Sequence, residues 1–128
     1  MSLNEQKGRL DAGPIQRLFG SSAVTKVLDF LSIHEDFDYS INEIAEHTGV
    51  HRRTVSRVIP TLEYYMVVKK VRKIDRSNMY VLDKESELSS LVRRLGYSIA
   101  EHDVDTLIKE EINPINKDKE KSLITVSD

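Results

Sequence analysis

With 128 residues, no cysteine and a formal net charge of −2, the chain has room for one domain with a modest core, and it excludes disulfides, thiolate zinc sites and cysteine catalysis. Its hydrophobic fraction of 39% and charged fraction of 31% are typical of a soluble globular protein. No apolar run approaches the roughly 20 residues that a membrane helix needs, and the polar N-terminus has no secretory signal. We therefore expect a cytoplasmic protein.

The net charge hides an uneven distribution of basic residues. Between His51 and Arg76 there are eight lysines and arginines but only two acids, Glu63 and Asp75, so this segment carries +6 and the rest of the chain −8. The eight are Arg52, Arg53, Arg57, Lys69, Lys70, Arg72, Lys73 and Arg76. A cationic segment on an acidic body is typical of a phosphate-binding surface.

Residues 1–20 are predicted to form an N-terminal arm that ends in a short helical turn. Pro14 suits a first helical position, and Ile15, Leu18 and Phe19 follow at helical spacing. Ser21 or Ser22 then caps the first core helix. Its expected apolar stripe consists of Val24, Val27, Leu28 and Leu31.

After an acidic connection at His34–Tyr39, the segment Ile41–Pro60 has the pattern of two short helices joined by a tight turn. Ser40 and Glu43 have the S-x-x-E spacing in which a hydroxyl and a carboxylate satisfy the N–H groups of a helix start. Gly49 lies where the chain must turn sharply, a position that often needs positive φ.

The second of these helices is expected from His51 to Leu62, with an apolar side and a basic side. At about 100° per residue, Val55, Val58, Ile59 and Leu62 fall on one side, and Arg52, Arg53, Ser56, Arg57 and Pro60 fall on the other. Such a helix can pack one face on its own domain and present the other to an anionic surface. Pro60 removes one backbone hydrogen bond, at a cost of about 3 kcal/mol if uncompensated, and is expected to kink the last turn.

Two strands are predicted next, at Met66–Ile74 and Met79–Leu82, around a polar tip at residues 75–78. This hairpin carries Lys69, Lys70, Arg72, Lys73 and Arg76. We expect Tyr39 or Ser40 to pair with it as a short extra strand.

The segment Ile41–Pro60 resembles a helix-turn-helix, with Ala45, Gly49 and Val55 at its fifth, ninth and fifteenth places. Residues 21–82, roughly half of the chain, are similar to the winged helix-turn-helix transcriptional regulators of bacteria and archaea, in the broad MarR/ArsR-like group. The resemblance implies a mostly α fold with a small β-hairpin: a three-helix core plus a wing, followed by a C-terminal helical extension. Met66 departs from the pattern, since these regulators usually have a glycine before the wing.

The resemblance also implies a mode of DNA binding. Helix 51–62 would enter the major groove, where Arg52, Arg53 and Arg57 reach phosphates or guanine edges and Ser56 allows close approach. The basic wing, residues 69–80, would lie on the backbone or in the minor groove, with Arg76 nearest its tip. The sequence leaves open which arginines read bases and which position the helix.

The C-terminal part, residues 83–112, has a helical pattern with one apolar stripe. The stripe consists of Leu88, Leu91, Val92, Leu95 and Ile99. It either folds back on the winged domain or meets its twin in a homodimer, and we expect the dimer; Ile15–Phe19 is the alternative dimer contact. Asn113-Pro114 is expected to end the helix, which leaves residues 113–128 as a polar tail.

The histidines, the tyrosines and the motif content bear on metal binding, effector binding and catalysis. The histidines His47, His51 and His102 lack the spacing of a metal site, and we expect them at the surface. The tyrosines Tyr64, Tyr65 and Tyr80 could line an effector pocket, but core positions are the commoner use of such residues beside a hairpin. No catalytic or cofactor-binding motif is present, so we expect neither an enzyme nor a bound cofactor, and the sequence assigns no effector.

The sequence thus predicts a homodimeric, sequence-specific regulator that binds double-stranded DNA. The alternative is a winged-helix module for protein–protein interaction within a transcription or replication assembly. The eight basic residues on helix and wing favour DNA, because an acidic or apolar face would suit a protein partner better.

Overall fold

The computed structural model describes the backbone of residues 12–127 and the side chains of residues 12–111. Most of the expected N-terminal arm, residues 1–11, lies outside this range. In chain order the elements are α1 (Pro14–Phe19), α2 (Ala23–Ile33), α3 (Ile41–Thr48), α4 (Arg52–Tyr64), β1 (Val68–Ile74), β2 (Ser77–Leu82) and α5 (Glu87–Ser127). The predicted fold class, mostly α with a two-stranded hairpin and a C-terminal helix, is confirmed.

The first helix of the helix-turn-helix, α3, begins with the expected capping box. The Ser40 N–H donates to Glu43 Oε1 at 3.0 Å, and the Glu43 N–H donates to Ser40 Oγ at 3.1 Å. At its other end Gly49 has φ 72°, and its N–H donates to the Ala45 carbonyl at 2.9 Å. Val50 then enters the core and fixes the turn between the two helices.

The core lies where α2, α3, α4 and the base of the hairpin meet. Fully or almost fully buried in it are Val27, Leu31, Ile44, Val50, Val55, Val58, Ile59, Leu62, Val67, Val68, Tyr80 and Leu82. Among the expected stripe of α2, Val27 and Leu31 are completely buried and Leu28 packs against the core, but Val24 is 43% exposed. Its inclusion in the core was wrong: in the first turn of α2 it is Ala23 that packs against the core.

Helix α4 continues through Pro60 to Tyr64, two residues beyond the predicted end. The amide that Pro60 lacks would have bonded to the Ser56 carbonyl, and both residues lie on the exposed side of the helix. Water can therefore satisfy that carbonyl. The next turn is retained because Ile59 and Leu62 are buried, and each such side chain contributes about 1.5–3 kcal/mol.

The helix-to-wing corner keeps the conformation of a glycine corner although it contains methionine. Met66 has φ 57°. Its N–H donates to the Glu63 carbonyl, and the Val67 N–H donates to the Leu62 carbonyl, both at 2.9 Å. These two bonds form a Schellman motif, in which glycine is the usual left-handed residue. The buried contact partners Leu62 and Val67 hold the corner, at a cost of about 1 kcal/mol for the left-handed methionine.

The hairpin tip is tighter than predicted. Only Asp75 and Arg76 connect the strands, with φ 47° and 69°, as in the type I′ turns that match the twist of paired strands. Ser77 and Asn78, predicted as tip residues, instead pair with β1 at the start of β2. The predicted extra strand is present as a bridge between Tyr39 and Tyr80, whose N–H groups donate to each other's carbonyls at 2.9 and 2.8 Å.

Helix α1 is fixed by a buried carboxylate. Asp29 of α2 is 2% exposed and accepts from the N–H groups of Ile15 and Gln16, each at 2.9 Å, so it caps the start of α1. The Cβ of an alanine at Gly13 would lie 2.2 Å from the Asp29 Cγ, so only glycine leaves room for this cap. Arg17 joins α1 to α5 through Asp103 at 2.6 Å.

Helix α5 runs unbroken from Glu87 to Ser127, so the expected helix end at Asn113-Pro114 was wrong. One proline removes a single hydrogen bond, and the lysines and the glutamate at residues 117–121 are good helix formers. The side chains expected to form the polar tail lie outside the described range. No helix in the part of the chain that the structure describes is long and apolar enough to cross a membrane.

Candidate nucleic-acid interface

The outer face of α4 is basic, as predicted. Arg52, Arg53, Ser56 and Arg57 are all exposed, while Val55, Val58, Ile59 and Leu62 of the same helix are buried. His51 caps the helix with its ring, since its Nδ1 accepts from the Arg53 N–H at 3.4 Å. The apolar face therefore fixes the rotation of the helix and leaves the three guanidinium groups in solvent.

The wing divides its basic residues between two faces. Cross-strand partners share a face of a hairpin, so Lys70, opposite Tyr80, and Lys73, opposite Asn78, lie on one face. Lys69 and Arg72 lie on the other face, opposite Val81 and Met79. A bulge at Val71 interrupts the alternation and places Lys70 and Arg72 on opposite faces.

Lys69 and Arg72, which share one face of the wing, both form ion pairs with carboxylates. Arg72 donates from Nε and Nη2 to the two oxygens of Asp38, at 2.6 and 3.1 Å. Lys69 lies 4.0 Å from Asp83. The hydrogen bonds from Arg72 lower the pKa of Asp38 below its ordinary value, and the same bonds raise the pKa of Arg72.

Asp38 belongs to the acidic connection, residues 34–39, which also binds the C-terminal helix. Glu35 accepts from Arg93 Nε and Nη2 at 2.6 and 3.0 Å, and these hydrogen bonds raise the pKa of Arg93. Asp36 pairs with Lys84, just before α5. The acidic connection thus links the wing and α5 to the end of α2, a role that the sequence analysis did not assign to it.

Six of the eight predicted basic site residues have no acidic partner among the described side chains. Within the described side chains, no carboxylate forms an ion pair with Arg52, Arg53, Arg57, Lys70, Lys73 or Arg76. We call these six the unpaired cations. Their charge is available to an anion without first breaking an internal ion pair, which distinguishes them from Lys69 and Arg72.

A polar cleft of about 200 Å³ lies between the wing tip and the start of the helix-turn-helix. It is lined by Ser40, Ile41, Asn42, Arg52, Arg76, Ser77, Asn78 and Tyr80. Two unpaired cations, one from α4 and one from the wing tip, therefore meet at one cleft, and none of its described lining residues is acidic. The start of the basic helix and the tip of the wing are neighbours there.

The polar residues of this cleft were not predicted from the sequence as part of a binding site. Asn42 lies in the first turn of α3, and its only signal was its place beside the capping box. Ser77 and Asn78 were interpreted as turn residues, whereas the structure places them in β2, beside the arginines.

Two of the three tyrosines expected in the core are exposed. Tyr80 is buried as predicted, but Tyr64 is 77% and Tyr65 53% exposed. The prediction was wrong for these two because they follow Leu62, the last inward position of α4. Their rings contact each other edge to face at 4.9 Å.

His47 packs against aromatic side chains. Its ring stacks on Phe30 at 5.1 Å and meets Tyr39 edge-on at 5.7 Å. Among the described residues no group of three His, Cys, Asp or Glu side chains is arranged to hold a metal ion.

Comparison with known proteins identifies the fold. Residues 24–75 match a family described as an HTH domain. No curated protein sequence matches the chain. The helix-turn-helix followed by a two-stranded hairpin defines a winged helix-turn-helix protein, and the predicted resemblance is confirmed at the level of the fold.

The structure is similar to that of MepR, a transcription regulator of the Staphylococcus aureus multidrug efflux pump MepA. The TM-score is 0.62 at 16% sequence identity, over 98% of this chain and 94% of MepR. MepR in its complex with DNA gives a TM-score of 0.54 at 18% identity, over 94% and 93% of the two chains. MepR bound to ethidium bromide gives 0.56 at 18% identity, over 98% and 90%.

Proposed function

We propose that this protein is a sequence-specific regulator of transcription that binds double-stranded DNA as a homodimer. The observation that carries the proposal is that Arg52 of α4 and Arg76 of the wing tip line one cleft, and that neither forms an ion pair with a described carboxylate. The fold supports it, because the similar protein MepR is a transcription regulator that has been seen in complex with DNA. The protein is proposed to act by binding, in the cytoplasm, and no catalytic step is assigned to it.

In this proposal α4 lies in the major groove, where a helix can reach base edges. Arg53 and Arg57 lie on its outward face, and Ser56 between them allows the helix to approach closely. Lys70, Lys73 and Arg76 place the wing on the backbone or in the minor groove. Lys69 and Arg72 would contribute less, because each has to leave a carboxylate before it meets a phosphate.

The homodimer is proposed to use the apolar stripe of α5. Leu88, Leu91 and Leu95 are 44%, 49% and 38% exposed, and Val92 and Ile99 are half-buried. A second copy would cover these side chains and would place the two α4 helices in successive major grooves, about 34 Å apart. Leu18 and Phe19 of α1 are also exposed and could extend the same contact.

Light scattering tests the dimer. Wild-type protein at tens of micromolar is expected to have twice the mass of the chain, and the double variant Leu91→Glu/Leu95→Glu the mass of one chain with its helix content retained. A monomeric wild type, or a variant that stays dimeric, would rule out the stripe as the interface.

Selection of bound sequences from random duplex DNA tests the function itself. A palindromic target is expected, and its affinity should fall steeply with salt because phosphate contacts release counterions. On that target, Arg53→Glu and Arg57→Glu should each abolish binding while the melting temperature stays unchanged.

The matched control is Arg94→Glu, which makes the same change of charge at an exposed position of α5. Binding equal to that of Arg94→Glu in both α4 variants would reject the contact face. Absence of any selected duplex would reject DNA binding and favour the protein–protein interaction module.

A further inference from the structure

We propose that the polar cleft between the wing tip and α3 holds one phosphate group of the DNA backbone, gripped by Arg52 and Arg76 together. The inference deepens the proposed function and rests on it. It assigns these two arginines to positioning and leaves Arg53 and Arg57 to read bases, a division that the sequence left open.

The charge of the cleft selects an anion. Its described lining includes two guanidinium groups from separate elements and no carboxylate. A guanidinium presents a planar set of N–H donors that matches the oxygens of a phosphate. Neither arginine forms an ion pair with a described carboxylate, so neither charge is neutralised within the described part of the chain.

The other lining groups can complete the coordination of a phosphate. The amide of Asn42 and the hydroxyl of Ser77 are neutral donors at the cleft. The capping box uses the N–H groups of Ser40 and Glu43, which leaves those of Ile41 and Asn42 in the first turn of α3 without an intrahelical acceptor. A helix start with free N–H groups favours an anion.

The cleft is large enough for one phosphate group. A volume of about 200 Å³ corresponds to roughly seven waters at about 30 Å³ each, which suits a phosphate with a few retained waters. The charge of the cleft argues for the backbone, because a phosphate is the part of DNA that carries the negative charge. A phosphate held there would fix α4 and the wing against the same strand, so the register of the complex would depend on both arginines.

A double-mutant cycle on the selected duplex tests the shared phosphate. Arg52→Gln and Arg76→Gln should each weaken binding about tenfold, and the double variant should weaken it by much less than a hundredfold, since the second arginine loses its target once the first has gone. The slope of log affinity against log salt should fall by about one in the single variants and little further in the double variant. The base preference should be unchanged.

The control cycle combines Arg76→Gln with Lys73→Gln, because Lys73 lies on the wing but does not line the cleft. Losses in this pair should multiply. Multiplicative losses in the Arg52/Arg76 pair as well, or an altered base preference in Arg52→Gln, would overturn the clamp while DNA binding itself stands.

Chemical replacement of single phosphates identifies the source of the anion. In a series of duplexes that each carry one neutral methylphosphonate, one position per half-site should weaken the wild type about tenfold and leave the Arg52→Gln/Arg76→Gln variant unaffected. If no such position exists, the proposal is rejected. If, in addition, inorganic phosphate binds tightly in the cleft in an NMR titration, the cleft serves a free anion. A wild type that binds no duplex would instead reject the function on which it rests.

Discussion

Helix α4 and the acidic connection differ in how the basic side chains associated with them are paired. The guanidinium groups of α4 stand in solvent with no described carboxylate paired to them, whereas three acids in the six residues of the acidic connection each bind a basic residue elsewhere. Those partners lie on β1, before α5 and in α5. The arginines of α4 are available to an external anion, and the basic partners of the acidic connection join separate segments of the molecule.

This difference shows why local charge is an incomplete guide to a binding surface. The segment from His51 to Arg76 carries +6 in the sequence, but Arg72 within it is neutralised by Asp38, 34 residues earlier in the chain. Conversely, the total charge of −2 gives no sign of an anion-binding face. What matters is which acids the fold brings to which bases.

Neutralising one arginine of α4 and one arginine that the acidic connection binds gives the largest contrast in DNA binding. Arg57→Gln should weaken binding to the selected duplex about 10- to 100-fold, the range expected for loss of one specific arginine contact, with the free energy of unfolding unchanged within about 0.5 kcal/mol. Arg93→Gln removes the same charge from a paired site and should change affinity less than threefold. Equal losses of affinity, measured by fluorescence anisotropy at one salt concentration, would erase the distinction between the two regions.

Stability should show the reverse order. The side chains of Arg93 and Glu35 are 24% and 18% exposed and share two hydrogen bonds. Arg93→Gln should lower the free energy of unfolding by about 1–2 kcal/mol, because it leaves a half-buried carboxylate with a weaker donor. A urea double-mutant cycle with Glu35→Gln should give a coupling of about 1 kcal/mol, at one fixed protein concentration since a dimer's stability depends on it. A coupling near zero would mean that the pair forms without stabilising the fold.

Much of the helix-turn-helix was predictable because its signals are local. The capping box of Ser40 and Glu43, the left-handed Gly49 and the buried side of α4 each follow from spacing within a few residues. The same local rules set the exposure of Arg53 and Arg57. A winged helix could therefore be predicted from one sequence.

Two contacts that were not predicted join distant segments of the chain. Nothing near Arg72 indicates that Asp38 will reach it, and nothing near Asp29 indicates that it caps α1. The two-residue tip at Asp75 and Arg76 was missed for a different reason, since Asp, Ser and Asn all suit turns and the strand register decides among them.

The Met66 corner joins the two elements that carry the unpaired cations, and its strain can be measured. Met66→Gly should raise the free energy of unfolding by about 0.5–1 kcal/mol. The left-handed conformation costs methionine about 1–2 kcal/mol, but glycine loses part of that gain because it increases the conformational entropy of the unfolded chain. Little burial is lost, because the methionine side chain is 64% exposed. Gly49→Ala is the matched control at φ 72° with open space around it, and it should destabilise by a similar amount. DNA affinity should stay constant in Met66→Gly, because the corner keeps its geometry; a destabilised variant would show that the methionine side chain holds the corner.

The smallest effect should come from the Asp38–Arg72 pair, and it should depend on pH. Because Arg72 lowers the pKa of Asp38 in the folded protein, the stability that Asp38 contributes is fully present above its unfolded pKa of about 4 and is lost as the pH falls through the lower folded value. The difference in melting temperature between wild type and Asp38→Asn should therefore shrink steadily as the pH falls below about 4. Since the pair lies at the surface, 1 M salt should reduce the difference in melting temperature at neutral pH as well.

Asp38→Asn should strengthen DNA binding although it weakens the fold. The substitution leaves the Arg72 guanidinium without its carboxylate, so its charge becomes available to an anion as the charges of the unpaired cations are. A modest gain in affinity for duplex DNA, with a steeper salt dependence, would show that the acidic connection restrains the wing's charge; unchanged affinity would confine Arg72 to a structural role.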